Sequence, residues 1–382
     1  TLGGYTNGQE ISHLSLETCQ TIGFNWGYDI SKDDKYKPSS ELIQLLVRTA
    51  GKGANLLLNV GPRPDRTIPE KCLERLSEIG KWLEKYGDTI YGTQGGCIPA
   101  QSWGVTTRKD NVLYVHNISG SGAMADYEYS SSAPWYALRE DIVSVRIGSG
   151  VTSIGGGAFL GCWGLESVSI PSSVTNIEGA AFCHCRGLKS IRIPPGVTDI
   201  GVEMFSGCSG LESVSLPSNM TSIGKYAFYK CGKLKSVTIP LGVTRIEEST
   251  FEGCDGLVSV SIPSTVTSIG EKAFTGCGGL MSFSVDPANP TFSSRNGMLC
   301  SKDGRFLLAG VNGDVTIPPG VTCIESRAFE CHDGLKSLVI PSSVTCIKGG
   351  AFAGCRGLES VTIPSNVVSV GDHAFYNCSG LH

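Results

Sequence analysis

Hydrophobic residues recur every 23 positions through the second half of the chain. One repeat, residues 165–185, reads LESVSIPSSVTNIEGAAFCHC, with apolar and polar residues alternating at its start. Val168 and Ile170 stand two positions apart, so on a β-strand they share one face and the serines beside them take the other. Pro171 ends the strand because proline has no N–H to extend the ladder. A fixed period in the twenties predicts a solenoid of short, stacked parallel strands.

Phenylalanine and cysteine keep the same period, and we expect the phenylalanines to form a stack along the solenoid axis. The phenylalanines are Phe159, Phe182, Phe205, Phe228, Phe251, Phe274, Phe329, Phe352 and Phe375. The cysteines, three positions later, are Cys162, Cys185, Cys208, Cys231, Cys254, Cys277, Cys355 and Cys378. The step from Phe274 to Phe329 is longer than one period, which predicts an extended hairpin insertion at about residues 286–313.

The cysteine series allows two interpretations. Stacked coils lie about 4.8 Å apart, so successive sulfurs approach bonding range. Side chains in register project in parallel, however, whereas a disulfide needs a dihedral angle near 90°. His332 takes the cysteine position in one repeat, which a packing position tolerates, so we predict buried free thiols. The sequences Cys183-His184-Cys185 and Cys331-His332 lack the paired spacing of a zinc site, and we predict neither a metal nor a cofactor.

The outward positions of the repeat strands form the candidate binding surface, with a protein as the expected partner. They include Ser167, Ser169, Ser190, Arg192, Ser213 and Ser215. This face has almost no aromatic side chains on which sugars or bases stack, and it has no cluster of charge. The sequence therefore predicts no nucleic-acid partner.

The first 118 residues follow a different pattern. Residues 36–53 show helical spacing of apolar side chains, and residues 54–60, ANLLLNV, form a short and almost continuous apolar run. Such a run is typical of a parallel strand buried on both faces. Thr67 and Glu70 have the spacing of a capping box that starts a helix ending at Gly87. Helix, strand, helix is the order of an α/β barrel, although the segment is too short to close one.

Composition narrows the class of protein. The chain has 382 residues, with 31 Lys and Arg against 35 Asp and Glu, so its net charge is −4. That charge is too small to favour nucleic acid or an anionic membrane. With 40% hydrophobic and only 17% charged residues, the chain is not disordered, and no apolar run is long enough to span a membrane.

Particular motifs in both halves resemble known families. ETCQTIGFNWGY at 17–28, GANLLLNVGP at 53–62, IGKWL at 79–83 and WGVTTRK at 103–109 resemble the C-terminal part of glycoside hydrolase family 29, the alpha-L-fucosidases, over about residues 1–118. The 23-residue unit resembles BspA-like leucine-rich repeats over about residues 119–382. The resemblance implies an α/β fragment, the last units of a (β/α)8-like barrel, followed by a β-rich leucine-rich-repeat solenoid. The expected segments are 1–98 (barrel fragment), 99–118 (start of a β-sandwich, or a linker hairpin), 119–143 (solenoid cap) and 144–382 (repeats).

The fucosidase resemblance implies a retaining glycosidase that removes terminal alpha-L-fucose from a fucosylated glycan. It assigns Glu17 as the candidate general acid/base and Trp26 as a substrate-binding residue. Leu16 stands where the family has tryptophan, and taken without the resemblance a glutamate such as Glu17 is more often an exposed carboxylate than a catalytic group. The family's nucleophile is an aspartate earlier in the barrel, before Thr1, so we expect the chain as given to be inactive.

Two functions therefore remain open from the sequence. The first is a fucosidase-like glycosidase, and the alternative is a leucine-rich-repeat protein that mediates protein–protein interaction or adhesion. The families imply a secreted, periplasmic or cell-surface location. A natural gene fusion and an artefactual joining of two genes would give the same sequence.

Overall fold

The computed structural model describes residues 16–23, 35–95, 104–117, 122–127, 133 and 135–382. These residues form two compact units. The first unit contains the described residues up to Met124 together with Asp141–Thr152, and the second contains Ala125–Glu140 and Ser153–His382.

The first unit begins with a strand–helix–strand sequence. Its elements are β1 (Leu16–Thr21), α1 (Ser39–Gly51), β2 (Ala54–Asn59), α2 (Glu70–Tyr86) and a short 3-10 helix (Gly87–Thr89). β1 and β2 are parallel and pair without a shift, from Leu16 opposite Ala54 to Thr21 opposite Asn59. Among the described residues of this unit, β1 and β2 pair only with each other and do not close into a barrel.

The helix starts differ from the predictions. α1 begins at Ser39 after Pro38, and α2 begins at Glu70 after Pro69, with no side chain capping either helix. The predicted capping box is wrong because the Thr67 hydroxyl donates to Asp65 Oδ1 at 2.6 Å and is thereby engaged in the preceding turn. Proline before the first helical residue keeps the entering chain extended, which fixes the boundary without a capping side chain.

The strand after α1 also departs from expectation. Residues 54–60 were predicted to be buried on both faces, but Leu57 in β2 is 56% exposed. Helices cover only one face of the two-stranded sheet, so alternate residues of β2 remain open to solvent. The prediction was wrong because an apolar run shows only that a strand is suited to burial on both faces. Whether each face is buried depends on whether other elements pack against it.

Short strands complete the first unit. They are β3 (Gln94–Gly95), β4 (Gly104–Lys109), β5 (Val112–Asn117), β6 (Gly122–Ala123) and β7 (Ser144–Ile147). β3, β4 and β5 are antiparallel, and β7 joins β5 in parallel. The end of α1 lies so close to β4 that a Cβ added at Gly51 would stand 2.5 Å from Val105 Cγ2. Glycine at position 51 therefore permits this packing.

The repeats form a solenoid of short parallel strands. After a 3-10 helix at Tyr136–Leu138 they are β8 (Val151–Ile154), β9 (Ser167–Ser169), β10 (Asn176–Ile177), β11 (Ser190–Arg192), β12 (Asp199–Ile200), β13 (Ser213–Ser215), β14 (Ser222–Ile223), β15 (Arg245–Ile246), β16 (Ser259–Ile262), β17 (Ser268–Ile269), β18 (Ser282–Val285), β19 (Phe292–Arg295), β20 (Met298–Ser301), β21 (Phe306–Ala309), β22 (Gly313–Thr316), β23 (Cys323–Ile324), β24 (Leu335–Val339), β25 (Cys346–Ile347), β26 (Ser360–Thr362) and β27 (Ser369–Val370). Corresponding residues of consecutive coils pair directly, as Ser190 does with Ser213. β19, β20 and β21 are antiparallel and lie between the coils of Phe274 and Phe329.

The predicted phenylalanine stack is confirmed. Ring centroids from Phe159 to Phe274 are 5.4–5.9 Å apart, and those from Phe329 to Phe375 are 5.0–5.1 Å apart. Trp135 covers the first ring at 5.5 Å, and its indole N–H donates to the Ala158 carbonyl at 2.7 Å. Each ring therefore fills the space between its neighbours along the axis.

Candidate functional site

Glu17 lies on the open face of the two-stranded sheet. It is exposed and pairs with Asn55 across β1 and β2, and the next pair on the same face is Cys19 with Leu57. The opposite face carries the core, in which Ile22 and Leu58 pack with side chains of both helices. The helices therefore cover one side of the sheet and leave the side that carries Glu17 uncovered.

Glu17 is the only carboxylate on these two strands. It occupies the second of the six positions of β1, while the C-terminal ends of the strands carry Thr21 and Asn59. A retaining glycosidase needs two carboxyl groups about 5 to 5.5 Å apart. The strands β1 and β2 carry a single carboxylate, where such a site needs two. Trp26, the predicted substrate-binding residue, lies outside the described residues.

The outward face of the repeat strands is polar and continuous, as predicted. Its exposed residues include Ser167, Ser169, Ser190, Arg192, Ser213 and Ser215. They stand in two columns, because Ser190 pairs with Ser213 while Arg192 pairs with Ser215. The column continues when Ser213 bridges to Ser236. Buried residues alternate with these exposed ones along each strand. Ile191, between Ser190 and Arg192, is 4% exposed.

The ladder cysteines have a specific structural role. From Cys185 onward, each ladder thiol donates to the carbonyl of the phenylalanine in the preceding coil, as Cys208 does to Phe182 at 3.1 Å and Cys355 to Phe329 at 2.9 Å. Burial raises the pKa of Cys277 to about 12 and raises the pKa of the other buried ladder thiols as well. A buried thiol with a raised pKa is a poor nucleophile. The ladder is therefore a packing and hydrogen-bonding element.

The residue pairs considered for metal binding do not converge. Cys185 is buried and donates to the Phe159 carbonyl, whereas His184 beside it is exposed. Cys331 is exposed and His332 is buried. Across the described part of the chain, no group of three or more His, Cys, Asp or Glu side chains is arranged to hold a metal ion.

Two side-chain groups escaped the sequence analysis. Trp163, which is 42% exposed, lies between the guanidinium groups of Arg139 and Arg186, whose centres are 5.3 and 5.7 Å from its ring. Cys323 and Cys346 occupy one position in consecutive coils and pair directly. The sequence does contain a signal for both groups. At the repeat positions that Trp163 and the two cysteines occupy, most other repeats carry small or polar residues, so a tryptophan or a cysteine there is an exception.

Fold and sequence together define a leucine-rich-repeat solenoid preceded by an α/β segment. The BspA type leucine rich repeat model matches residues 136–257, 221–296 and 312–382, in six copies, and the chain belongs to this family. The alpha-L-fucosidase model matches residues 3–88. The chain therefore joins a segment similar to part of the alpha-L-fucosidases to BspA-type repeats.

Similar proteins divide between the same two families. The alpha-L-fucosidase of Dictyostelium discoideum is 35% identical over 129 residues, which are 32% of this chain and 26% of that protein. The human plasma alpha-L-fucosidase is 34% identical over 29% of this chain and 25% of its own length. The chain thus spans about a quarter of the length of these curated relatives. A leucine-rich repeat protein of Eubacterium ventriosum, of known structure, is 28% identical with a TM-score of 0.53, covering 74% of this chain and 70% of that one.

No helix in the described part of the chain is long and apolar enough to cross a membrane.

Proposed function

We propose that the solenoid carries the function of these 382 residues and that its serine-lined face binds a protein ligand. The observation that carries the proposal is the pair of exposed polar columns through consecutive coils, with Ser190, Ser213 and Ser236 in one of them. Extended concave or flat faces of this kind are the surfaces with which repeat proteins bind their partners. The N-terminal unit is then a remnant of a fucosidase.

The chemistry of the face indicates the kind of ligand. Hydroxyl groups donate and accept hydrogen bonds, and they stand at the regular spacing of the strands, about 4.8 Å. Arg192 adds one guanidinium among them, and acidic and aromatic side chains are sparse on the central coils. Such a surface suits an extended polypeptide that presents polar groups at intervals rather than a highly charged polymer.

Matched substitutions test this face. Peptides displayed on phage would be selected on the full chain and then tested against Ser213→Arg and Ser222→Arg. Arginine occurs naturally at an exposed position of each kind of strand, at Arg192 in β11 and at Arg245 in β15, so both variants should fold. We expect peptide binding to be lost with Ser213→Arg and kept with Ser222→Arg, because Ser222 lies in β14, outside both columns. Equal loss in both variants, or no enriched peptide, would contradict the proposal.

A second candidate function rests on the open face of β1 and β2. Helices on one face and Glu17 on the other are the arrangement of a barrel unit, whose strands turn their uncovered side to the barrel interior. This supports the interpretation of residues 1–98 as the last units of a (β/α)8-like barrel, with Glu17 as acid/base and Trp26 near a fucosylated glycan. Double displacement needs a second carboxylate, and β1 and β2 offer none.

We therefore expect no fucoside hydrolysis by these 382 residues alone. The measurement is release of nitrophenol from an aryl alpha-L-fucoside by the wild-type chain, by Glu17→Gln and by Glu41→Gln, an exposed control carboxylate on α1. All three should match the blank. Turnover that Glu17→Gln abolishes and Glu41→Gln retains would overturn this expectation and establish Glu17 as catalytic.

Domain organisation and location are part of the same proposal. We retain the segments 1–98, 99–118, 119–143 and 144–382 as the functional division of the chain. A secreted, periplasmic or cell-surface location is supported by the relatives, one of which is named as a plasma enzyme. Fractionation of the native host with an antibody against the repeats would test the location, and recovery only from the cytosol would contradict it.

A further inference from the structure

Two cysteines occupy the same position in consecutive coils on the outer side of the solenoid. Cys323 lies on β23 and Cys346 on β25, and the two residues pair directly in a parallel register. Other coils place serine at this position, as in Ser222, Ser268 and Ser369. These two cysteines are distinct from the ladder cysteines, whose thiols donate to phenylalanine carbonyls inside the coils.

The spacing of the two strands brings the sulfurs together. Neighbouring strands lie about 4.8 Å apart, within the roughly 4.4–6.8 Å between Cα atoms that a disulfide spans. Two positions further along, Lys348 Nζ and Glu325 Oε2 form an ion pair of 2.7 Å between the same two coils. This ion pair holds the coils in register beside the two thiols.

The two thiols differ in access. Cys323 is 6% exposed and pairs on its other side with Phe306, whereas Cys346 is only half-buried. Burial, and secondarily the adjacent Cys346 thiol, raises the pKa of Cys323. An oxidant therefore reaches Cys346 first. The raised pKa slows attack by Cys323, but its direct pairing with Cys346 holds it beside the mixed disulfide, so it is the neighbour that completes the reaction.

We propose that Cys323 and Cys346 are a redox-active dithiol that closes to a disulfide joining the two coils. With oxidised glutathione as the oxidant, the Cys346 thiolate attacks one glutathione sulfur, and reduced glutathione leaves as a mixed disulfide forms. The Cys323 thiolate then attacks the Cys346 sulfur and releases the second glutathione. The protein loses two electrons and two protons, and glutathione disulfide gains them as two thiols.

The resulting disulfide should be easily reduced. Side chains that project in parallel from paired positions must rotate away from their relaxed geometry to reach the dihedral angle of a disulfide. Strained or exposed disulfides have higher reduction potentials and are the labile ones. The pair therefore reports the redox state of its surroundings rather than forming a permanent cross-link.

The test uses the reduced full chain and oxidised glutathione. After acid quenching, free thiols are blocked with N-ethylmaleimide in urea, and the digest is analysed by mass spectrometry. We expect a peptide pair joined through Cys323 and Cys346, lighter by two hydrogens than the reduced pair and separated again by dithiothreitol. Cys323→Ser should stop the reaction at a glutathione adduct on Cys346, and Cys346→Ser should remove the joined peptide.

The variants are chosen so that misfolding does not explain a negative result. Serine is the native residue at this position in neighbouring coils, so both substitutions should preserve the circular dichroism spectrum of the wild type. Cys331→Ser, which removes an exposed cysteine of the same repeat, should leave the joined peptide unchanged. The proposal fails if wild type accumulates only the glutathione adduct, or if Cys346 pairs mainly with another cysteine.

Discussion

The repeat array and the two-stranded unit, by which we mean the sheet of β1 and β2 with helices α1 and α2, bury apolar side chains in different ways. In the array, each coil supplies the partner that the next coil needs, and Phe182, Phe205 and Phe228 are fully buried between their neighbours. In the two-stranded unit, Ile22 is fully buried under the helices while Leu57 on the opposite face is 56% exposed. A repeat fold is completed by local neighbours, whereas a single parallel strand pair with helices on one face needs further partners to cover the other face.

Removing one ring of the stack should break the array most severely. Phe228→Ala leaves a void between Phe205 and Phe251 that neither ring can fill, because each is held by its own coil. We expect a loss of about 3–5 kcal/mol in the free energy of unfolding, measured by urea denaturation. The control is Phe306→Ala, where the ring is 39% exposed and the loss should be much smaller. Equal losses in the two variants would contradict the role of the stack.

The coil that carries histidine in the cysteine position should make the array sensitive to acid. His332 is buried, its Nδ1 lies 3.2 Å from the Glu330 carbonyl oxygen, and its Nε2 has no hydrogen-bond partner. Burial lowers the pKa of His332. The backbone groups of Glu330, Gly310 and Phe329, and to a smaller extent the Asp333 carboxylate, oppose this effect without cancelling it. The folded state therefore holds the neutral imidazole.

The sign of the acid effect follows from this. Below the ordinary histidine pKa of about 6.5, the unfolded chain takes up a proton that folded His332 does not, so stability is full above that pH and falls as pH decreases. One proton gives a slope of at most about 1.4 kcal/mol per pH unit. His332→Cys should remove this component of the urea-denaturation profile between pH 7 and 5. Superimposable profiles for the two proteins would contradict it.

Backbone conformation provides a finer test of how regular the coils are. Two positions after the phenylalanine, the backbone has positive φ whether the residue is Lys230 (φ 56°) or Gly276 (φ 70°). A Cβ at Gly276 would meet no atom closer than 3.6 Å, so Gly276→Ala tests the φ angle alone and should cost about 1 kcal/mol. Lys230→Gly should have the opposite sign, by up to about 1 kcal/mol. Destabilisation by both substitutions would show that φ does not control these positions.

The smallest expected effect concerns the open face of the two-stranded unit. Leu57→Ser should change the free energy of unfolding by less than about 0.5 kcal/mol, because the side chain is already mostly in solvent. Ile22→Ala, in the core on the opposite face, is the matched control and should cost about 2–5 kcal/mol. If Leu57→Ser costs as much as Ile22→Ala, the face is covered and the contrast between the two regions disappears.

Sequence reasoning succeeded where partners are close in the repeat. The 23-residue period located the strands and the phenylalanine stack because each coil repeats the environment of the last. It could not show that the Cys208 thiol donates to Phe182, because that bond joins residues 26 positions apart and depends on how the coils turn. The non-glycine residues with positive φ, such as Glu203, carry no mark in the sequence either.

Prediction was weaker for the N-terminal unit and its candidate site. The helices and the strand at residues 54–59 were located by their apolar spacing, but the exposure of Leu57 depends on what faces it. The resemblance singled out Glu17 and implied that its partner carboxylate lies before Thr1, but the sequence did not show that Glu17 lies on the open face of β1 and β2. The pairing of Cys323 with Cys346 was not predicted, because these two cysteines lie outside the ladder that follows the phenylalanines by three positions.

The reactivity of a buried ladder thiol reports how often its own coil opens. Because burial holds a thiol such as Cys231 or Cys254 in its protonated form, alkylation can proceed only when that coil opens. The rate at which each ladder cysteine is labelled would therefore measure the local opening of one coil, without any inserted probe. Fraying from an end, or from the hairpin insertion, would be recorded as a gradient of labelling along the array.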